Sequence, residues 1–470
     1  MEFVEYTIGE LALEVRSGKT PPTSNPEYFD GDIPWIGPSD LKGQKLADDS
    51  ERKISEMALE DRKAFLYQSG TVLISTIGDI GKTAIVKKPI ATNQQLTGIL
   101  VNEDLILPEL FYYWIRLNKD ILENKANTAV ISMLNNKLLK RVKVVFPKGF
   151  EDQYKIVGRL NRIQELIDKR VDTINLLEKY IQSIFLERFG DPYLNKRKFE
   201  RKRLNTLIES NSVITRGIDQ PGPNIENGIP YIKSGDIKDG KILTNQLKKT
   251  SVEIASKNEN SKCSYGDLVI SIRATVGSIA MIPEELEGVN LSRGTARIVL
   301  NRDSVSNYFI YYLLSTNGIQ TLINQQIKGS TFKQITLSKL RQLALPIPAI
   351  SLQLEFESIF IKVEKIRKQL EVSLNFLKTL FQSTLQDAFS EESQINEDEV
   401  FESLLKTFTK EDLKQGNRLK HLLKWINCKE PRFSQFESYD LAWDRLRELL
   451  EDGSIEQVLY ENEIKLKVAE

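Results

Sequence analysis

Two stretches of the chain carry apolar residues at helical spacing over a length greater than a compact domain needs. Between Gln153 and Phe189, the residues Ile156, Leu160, Ile163, Ile167, Ile174, Ile181 and Ile184 fall mostly at steps of three, four or seven. Between Leu354 and Phe389, the residues Val363, Ile366, Leu370, Leu374, Leu377, Leu380 and Leu385 do the same. No Gly or Pro interrupts either stretch after Gly158. Each predicts a rod of about 50 Å at 1.5 Å rise per residue. An ordinary bundle helix would explain one such stretch. Two that keep both length and seam are better explained as a spacer, packed antiparallel along Ile163, Ile167, Ile174 and Ile181 on one side and Val363, Ile366, Leu370 and Leu377 on the other.

The segment before each long helix follows a shorter period. Thr71 to Ser75 and Leu268 to Ile272 read as buried strands bounded by Gly and Asp, whereas Leu110 to Arg116 and Tyr308 to Leu314 read as helices, so each module is α+β. The modules are copies. Ile33-Pro34-Trp35-Ile36 returns as Ile229-Pro230-Tyr231-Ile232 at a shift of 196, which also carries Asp40 onto Asp236, Lys42 onto Lys238, Gly70–Ser75 onto Gly266–Ser271 and Gly81 onto Gly277. The shift grows to 199 at Tyr112-Tyr113 against Tyr311-Tyr312. It reaches 201 for Leu139, Val142, Val144 and Phe146-Pro147 against Leu340, Leu343, Leu345 and Ile347-Pro348. Small loop insertions account for the drift: a shared fold with different loops. The expected organisation is residues 1–150, a first module; 151–191, a long helix; 192–349, a second module; 350–390, a second long helix; and 391–470 outside the repeat.

That last segment changes the meaning of the charge. The chain of 470 residues holds 65 Lys plus Arg and 65 Asp plus Glu. Residues 391–470 hold 19 acidic and 12 basic residues, a net of −7, which leaves +7 over residues 1–390. Zero net charge therefore conceals a basic body and an acidic appendage, and it is silent on nucleic-acid binding, which needs only local positive potential. The appendage opens with the acidic linker Glu391–Glu399, then shows a helix start at Thr409 to Asp412, apolar positions at Leu413, Leu419, Leu422, Leu423 and Ile426, a helix about Tyr439 to Leu450 and a hairpin from Ile455 to Val468. It predicts a small, mainly helical docking domain.

Scarce residues exclude several chemistries. One histidine, His421, cannot build a His-rich metal site, and two distant cysteines, Cys263 and Cys428, provide neither a metal knuckle nor a disulfide framework. No basic-then-apolar leader and no run of 18 apolar residues occurs, so a cytoplasmic location is expected. Gly78-Asp-Ile-Gly81-Lys82-Thr83 suggests a phosphate loop, but Thr76 stands where the first glycine is required, and the second copy keeps Gly277 while replacing Lys-Thr by Ser278-Ile279. The shared element is a turn. Gly190-Asp191-Pro192-Tyr193 faintly echoes an amino-methyltransferase motif without its second proline, and it reads as a helix stop. No HExxH, GxSxG or GxGxxG with its acidic partner appears, so neither catalytic residues nor a metal or cofactor site is expected.

The positive signal is cationic. In the first module Arg16, Lys19, Thr20, Lys42, Lys82, Lys137 and Lys140 lie beside turns and aromatics. In the second, Arg216, Lys233, Lys238, Arg273, Arg293, Arg297 and Lys333 do so, and Lys196–Arg203 adds a basic run between the modules. Arg offers a fork to guanine or phosphate, Lys a point charge, and Thr a smaller donor. These fourteen are the candidate nucleic-acid contacts. Trp35 and Tyr231, each in an apolar Ile-Pro-aromatic-Ile strand, read as core residues.

The phrases Ile33-Pro-Trp-Ile-Gly-Pro-Ser-Asp-Leu41, Gly266-Asp-Leu-Val-Ile-Ser-Ile-Arg273 and Gln182-Ser-Ile-Phe-Leu-Glu-Arg-Phe-Gly-Asp-Pro192, in a doubled module-plus-helix order, resemble the specificity (S) subunit of Type I restriction-modification systems over about residues 5–390. The resemblance implies two target recognition domains, each reading half of a split site in double-stranded DNA, and helices that set the gap and hold two methylation (M) subunits. It further implies that those partners bring S-adenosylmethionine, and that restriction (R) subunits bring ATP and Mg. Residues 391–470 depart from the family pattern. A DNA-free coiled scaffold and a self-sufficient DNA-modifying enzyme are the alternatives; the first leaves the doubled modules with basic loops unexplained, and the second lacks a catalytic motif.

Overall fold

A computed structural model describes residues 1–126, 133–327, 333–390, 413–414, 419, 422–423, 426–427, 436–460 and 463–468. The chain folds as two units: Met1–Val171 with Glu371–Glu470, and Asp172–Leu370.

In the first unit a five-stranded sheet runs in the order Ala12–Ser17, Leu96–Val101, Val72–Ser75, Thr83–Val86, Leu46–Ala47. All four residues of Val72–Ser75 are buried because the strand is covered on both faces: Val72 and Ile74 enter one core, and Leu73 enters another. A smaller sheet places Ile33–Ile36 between Lys53–Ile54 and Ala91–Thr92, and Phe3–Thr7 pairs with Lys143–Pro147. The second unit repeats this plan. Its four-stranded sheet is Thr215–Arg216, Thr295–Ile298, Leu268–Ser271, Ile279–Met281, with Ile229–Ile232 between Lys248–Thr250 and Asn290–Leu291, and Glu200–Arg203 paired with Ala344–Ile347. Leu268 and Ile270 again face one core and Val269 the other. Gly81 and Gly277 take φ of 85° and 93°, left-handed turns that glycine adopts without a Cβ clash.

The long helices are Phe150–Phe189, of 40 residues, and Ile350–Asp387, of 38. Each unit's core draws on both. In the first unit Leu160, Ile163 and Ile167 join Leu377, Phe381 and Leu385. In the second, Ile181, Phe185 and Phe189 join Phe356, Phe360 and Val363, with Arg188 bonded to Glu355 at 2.7 Å. The N-terminal half of one helix thus packs with the C-terminal half of the other, as antiparallel pairing requires. The expected seam needs a correction at Ile366, which is 46% exposed. Counted from Phe360 and Val363, the inward direction at 100° per residue falls on position 367, and Arg367 fills it with its side chain 16% exposed beside Glu364. Ile174 and Leu370 are only half-buried.

A buried glutamine fixes the start of each helix. Gln153, fully buried, accepts from the Leu107 N–H at 3.0 Å and donates to the carbonyls of Leu105 and Pro147, each at 3.0 Å. Gln353, also fully buried, accepts from the Ser306 N–H at 3.0 Å and donates to the Pro348 carbonyl at 2.8 Å.

Beyond the repeat, a helix Phe436–Glu451 and an antiparallel hairpin of Ile455–Tyr460 with Glu463–Val468 are formed. Leu413, Leu419, Leu422 and Leu423 share a core with Ala442, Leu446 and Leu449. The expected linker Glu391–Glu399, the helix start at Thr409 to Asp412, His421 and Cys428 lie outside the described residues. Among the described residues no helix is long and apolar enough to cross a membrane.

Candidate nucleic-acid interface

Strand registers align the two repeats where the sequence shift drifts. Trp35 stands opposite Ala91 and Tyr231 opposite Asn290; Ser75 stands opposite Leu96 and Ser271 opposite Thr295. Ala91–Leu96 therefore corresponds to Asn290–Thr295, and Gln94 to Arg293. In both units this short loop is clamped to a glycine of the neighbouring strand end. Gly18 N–H donates to Leu96 at 2.9 Å and Lys19 N–H to Thr92 at 3.0 Å; in the second unit Ile218 N–H donates to Leu291 at 2.7 Å and Arg293 N–H to Ile218 at 2.8 Å. A Cβ on Gly217 would stand 1.9 Å from the Leu291 carbonyl oxygen, so only glycine permits the approach.

Beside this loop the second unit has a cavity of about 1000 Å³. Lys233, Arg273, Arg293 and Lys333 line it, with Tyr231, Ser234 and Ser292 buried in its wall. Arg293 and Lys333 are exposed and Arg273 half-buried, and among the described residues these three make no ion pair. Asp219, the cavity's one carboxylate, is paired with Arg216 at 3.0 Å. Lys233 reaches buried Asp236 at 3.5 Å. Burial, reinforced by the Asp236 carboxylate, raises the Tyr231 phenol above its ordinary value and keeps it neutral. The Lys333 segment is held by a bridge between Arg273 and Gln334, and by the Ala274 N–H donating to the Lys333 carbonyl at 3.1 Å. Ala274 itself takes φ 59° where Gly78 stands at 82° in the first unit, a left-handed conformation costing about 1 kcal/mol without glycine's freedom.

The first unit has a smaller cavity, about 480 Å³, at the corresponding place. Lys19, Thr20, Arg62, Lys63 and Gln94 line it. Lys19 Nζ donates to the Arg62 carbonyl at 3.1 Å, and the Thr20 hydroxyl donates to the Gln94 side-chain oxygen. Trp35 is 6% exposed, its indole N–H on the Lys19 carbonyl at 3.1 Å, so it is a core support of the loop. Arg16 stacks its guanidinium over Phe65 at 3.2 Å, while burial pushes the Tyr67 phenol up to about 12 as it donates to the Arg16 carbonyl at 2.7 Å.

The other candidates lie elsewhere in their units or serve the fold. Lys42, Lys137, Lys140 and Lys238 are exposed outside the linings of the two cavities. Lys82 pairs with Asp79 at 3.2 Å. Arg297 does not belong with the DNA-facing set: its Nε bonds Asp267 at 2.6 Å, with the two side chains 19% and 4% exposed. In the first unit Gly98 occupies that position beneath the Tyr67 ring, so the arginine and its aspartate replace a tyrosine packed on glycine. In the basic run between the modules, Arg197 and Arg201 donate to the carbonyls of Glu187, Pro192, Tyr193 and Ala344. Arg62, Lys63 and Gln94 escaped sequence reasoning, and the signal for Gln94 was its alignment with Arg293. Among the described residues no cluster of His, Cys, Asp or Glu gathers metal ligands.

The model of the Type I restriction modification DNA specificity domain matches residues 1–179 and 198–375. The chain is 27% identical over 414 residues to the Type I restriction enzyme MjaIX specificity subunit of Methanocaldococcus jannaschii, covering 79% of this chain and 92% of that one. It is 25% identical over 345 residues to the EcoBI specificity subunit of Escherichia coli, covering 68% and 72%. The crystal structure of a Type I restriction-modification S subunit from M. genitalium superposes with a TM-score of 0.54 at 13% identity, over 84% of this chain and 97% of that one, which is a likeness of fold.

Proposed function

Because the chain belongs to the Type I restriction modification DNA specificity family, we propose that it reads an asymmetric bipartite site in double-stranded DNA, one half through each repeat, as the non-catalytic subunit of a cytoplasmic restriction-modification complex. The supporting observation is a concave, cation-lined patch at the same place in both repeats, built from different side chains. Matched position means two readers of one kind; unmatched chemistry means two different half-sites. Residues 1–150 and 192–349 act as recognition domains, and the helices 151–191 and 350–390 set the number of unread base pairs between the halves. Exchanging residues 1–150 for another such domain is expected to change one half-site, and adding a helical turn to both long helices to change the gap alone. Methylome sequencing checks both, and a motif unaltered by the exchange overturns the reading.

The chain brings neither S-adenosylmethionine nor ATP and Mg in this proposal; two methylation subunits bring the first and restriction subunits the others. Support for two identical docking places comes from the long helices. Tyr154 and Leu354, at a shift of 200, are 62% and 51% exposed, and Leu166 and Ile366, at the same shift, are 45% and 46% exposed. Apolar groups left open at repeated positions suit a partner bound twice. The double change Leu166→Asp with Ile366→Asp is expected to leave the melting temperature within a few degrees and weaken M-subunit capture at least tenfold. Undiminished capture removes this surface from the proposal. The same capture assay with R subunits, on a chain ending at about residue 390, tests docking by the acidic segment 391–470; capture as good as that of the full chain would exclude it.

A further inference from the structure

The two clamped loops present different side chains from one backbone position, and that difference has a chemical meaning. Arg293 and Gln94 are both exposed, both line the cavity of their unit, and both sit on loops fixed by main-chain hydrogen bonds to the equivalent strand end of their repeat, Gly18-Lys19 or Gly217-Ile218. A loop so fixed delivers its side chain without first being ordered, the property a base reader needs. Arginine donates two parallel hydrogen bonds to guanine O6 and N7, whereas glutamine accepts from adenine N6 and donates to adenine N7. Thr20 lies within hydrogen-bonding reach of the Gln94 side-chain oxygen. With the hydroxyl donating to Oε1, the second lone pair of that oxygen can accept from an adenine N6–H while the Nε2 group donates to N7. Gln95 is half-buried and accepts from the Asn93 amide at 3.0 Å, so Gln94 is the exposed member of the pair.

We propose that Gln94 and Arg293 are the equivalent base-reading side chains of the two repeats, Gln94 selecting an adenine in one half-site and Arg293 a guanine in the other. The assignment rests on the DNA-specificity reading above and names the base class at one position of each half. Thr20 acts through Gln94 and is a positioning residue.

The test uses the full chain assembled with its methylation subunits and selected against duplexes randomised over both half-sites and the gap. Gln94→Ala is expected to relax one position of one half-site by five- to a hundredfold, the range set by a lost bidentate pair, and Gln94→Arg to turn that position from adenine toward guanine. Arg293→Ala relaxes one position in the other half, and Arg293→Gln turns it toward adenine. Thr20→Val is expected to lower the adenine preference at the Gln94 position with the other half-site, the gap and the melting temperature unchanged. Selected profiles that keep the wild-type preference at every position in the Gln94 and Arg293 variants overturn the assignment. So does a loss of binding that is uniform over all sequences. A wild-type complex that enriches no sequence would instead overturn the specificity reading itself, so the two failures are distinct.

Discussion

Gln153→Leu is expected to cost the first unit about 3 to 5 kcal/mol. The substitution keeps the volume and removes both amide groups, leaving the Leu107 N–H and the Leu105 and Pro147 carbonyls without their partner in a fully buried site. Each orphaned buried backbone group costs about 1–3 kcal/mol, and whole domains are stable by only about 5–15 kcal/mol. At about 2–4 °C per kcal/mol for a unit of this size, its thermal transition should fall by roughly 10 °C. Gln353→Leu orphans two groups rather than three, so the second unit should lose less. Gln153→Glu gives the argument a pH signature. A carboxylate at this place faces two carbonyls and loses its donor, so burial and repulsion raise its pKa in the folded state. The group then favours folding while protonated, and stability recovers as pH falls and is lost as pH rises through the raised folded pKa. Calorimetry of the full chain between pH 5 and 8 reads both effects; a transition for Gln153→Leu within 2 °C of the wild type would show that the glutamine does not anchor the helix.

The large periodicities were legible in the sequence because packing enforces them. The strand Val72–Ser75 and its copy Leu268–Ser271 read as continuous apolar runs since both faces are covered, and the long helices read from spacing alone. What escaped were substitutions that keep shape by changing chemistry. Arg367 fills a seam position that an apolar ladder assigns to Ile366, because a long stem can pack while its charged end meets Glu364. Arg297 looked like a DNA contact because its buried aspartate lies 30 positions away in sequence. Gln94 was missed because the shift of 196 sets it against Asn290; the true shift of 199 appears only once the strand registers place the insertion. A reading loop is where insertions are tolerated and where sequence alignment of the copies fails.

The unpaired charge of the larger cavity leads to the other large effect. Lys333 makes no ion pair among the described residues and Lys233 only a long one, so both ammonium groups remain available to phosphate at the cavity they line. Each phosphate neutralised releases condensed counterions, contributing about 0.9 to the slope of log affinity against log salt. Lys233→Ala with Lys333→Ala should therefore lower that slope by about 1.8 and, at about 0.1 M salt, weaken binding of the assembled complex roughly 60-fold. The loss should be the same for every duplex, since a phosphate carries no sequence, and selection from randomised duplexes should return the wild-type motif. The first unit has Gly37 in the place of Lys233, yet Asp40 still meets a cation, Arg52, at 3.1 Å. Arg52 arrives from a neighbouring segment to hold the charge that Lys233 holds in the second unit. A slope left unchanged by the double lysine variant, measured between 50 and 300 mM salt, would move the phosphate contacts away from this cavity, and with them the face that each repeat turns to DNA.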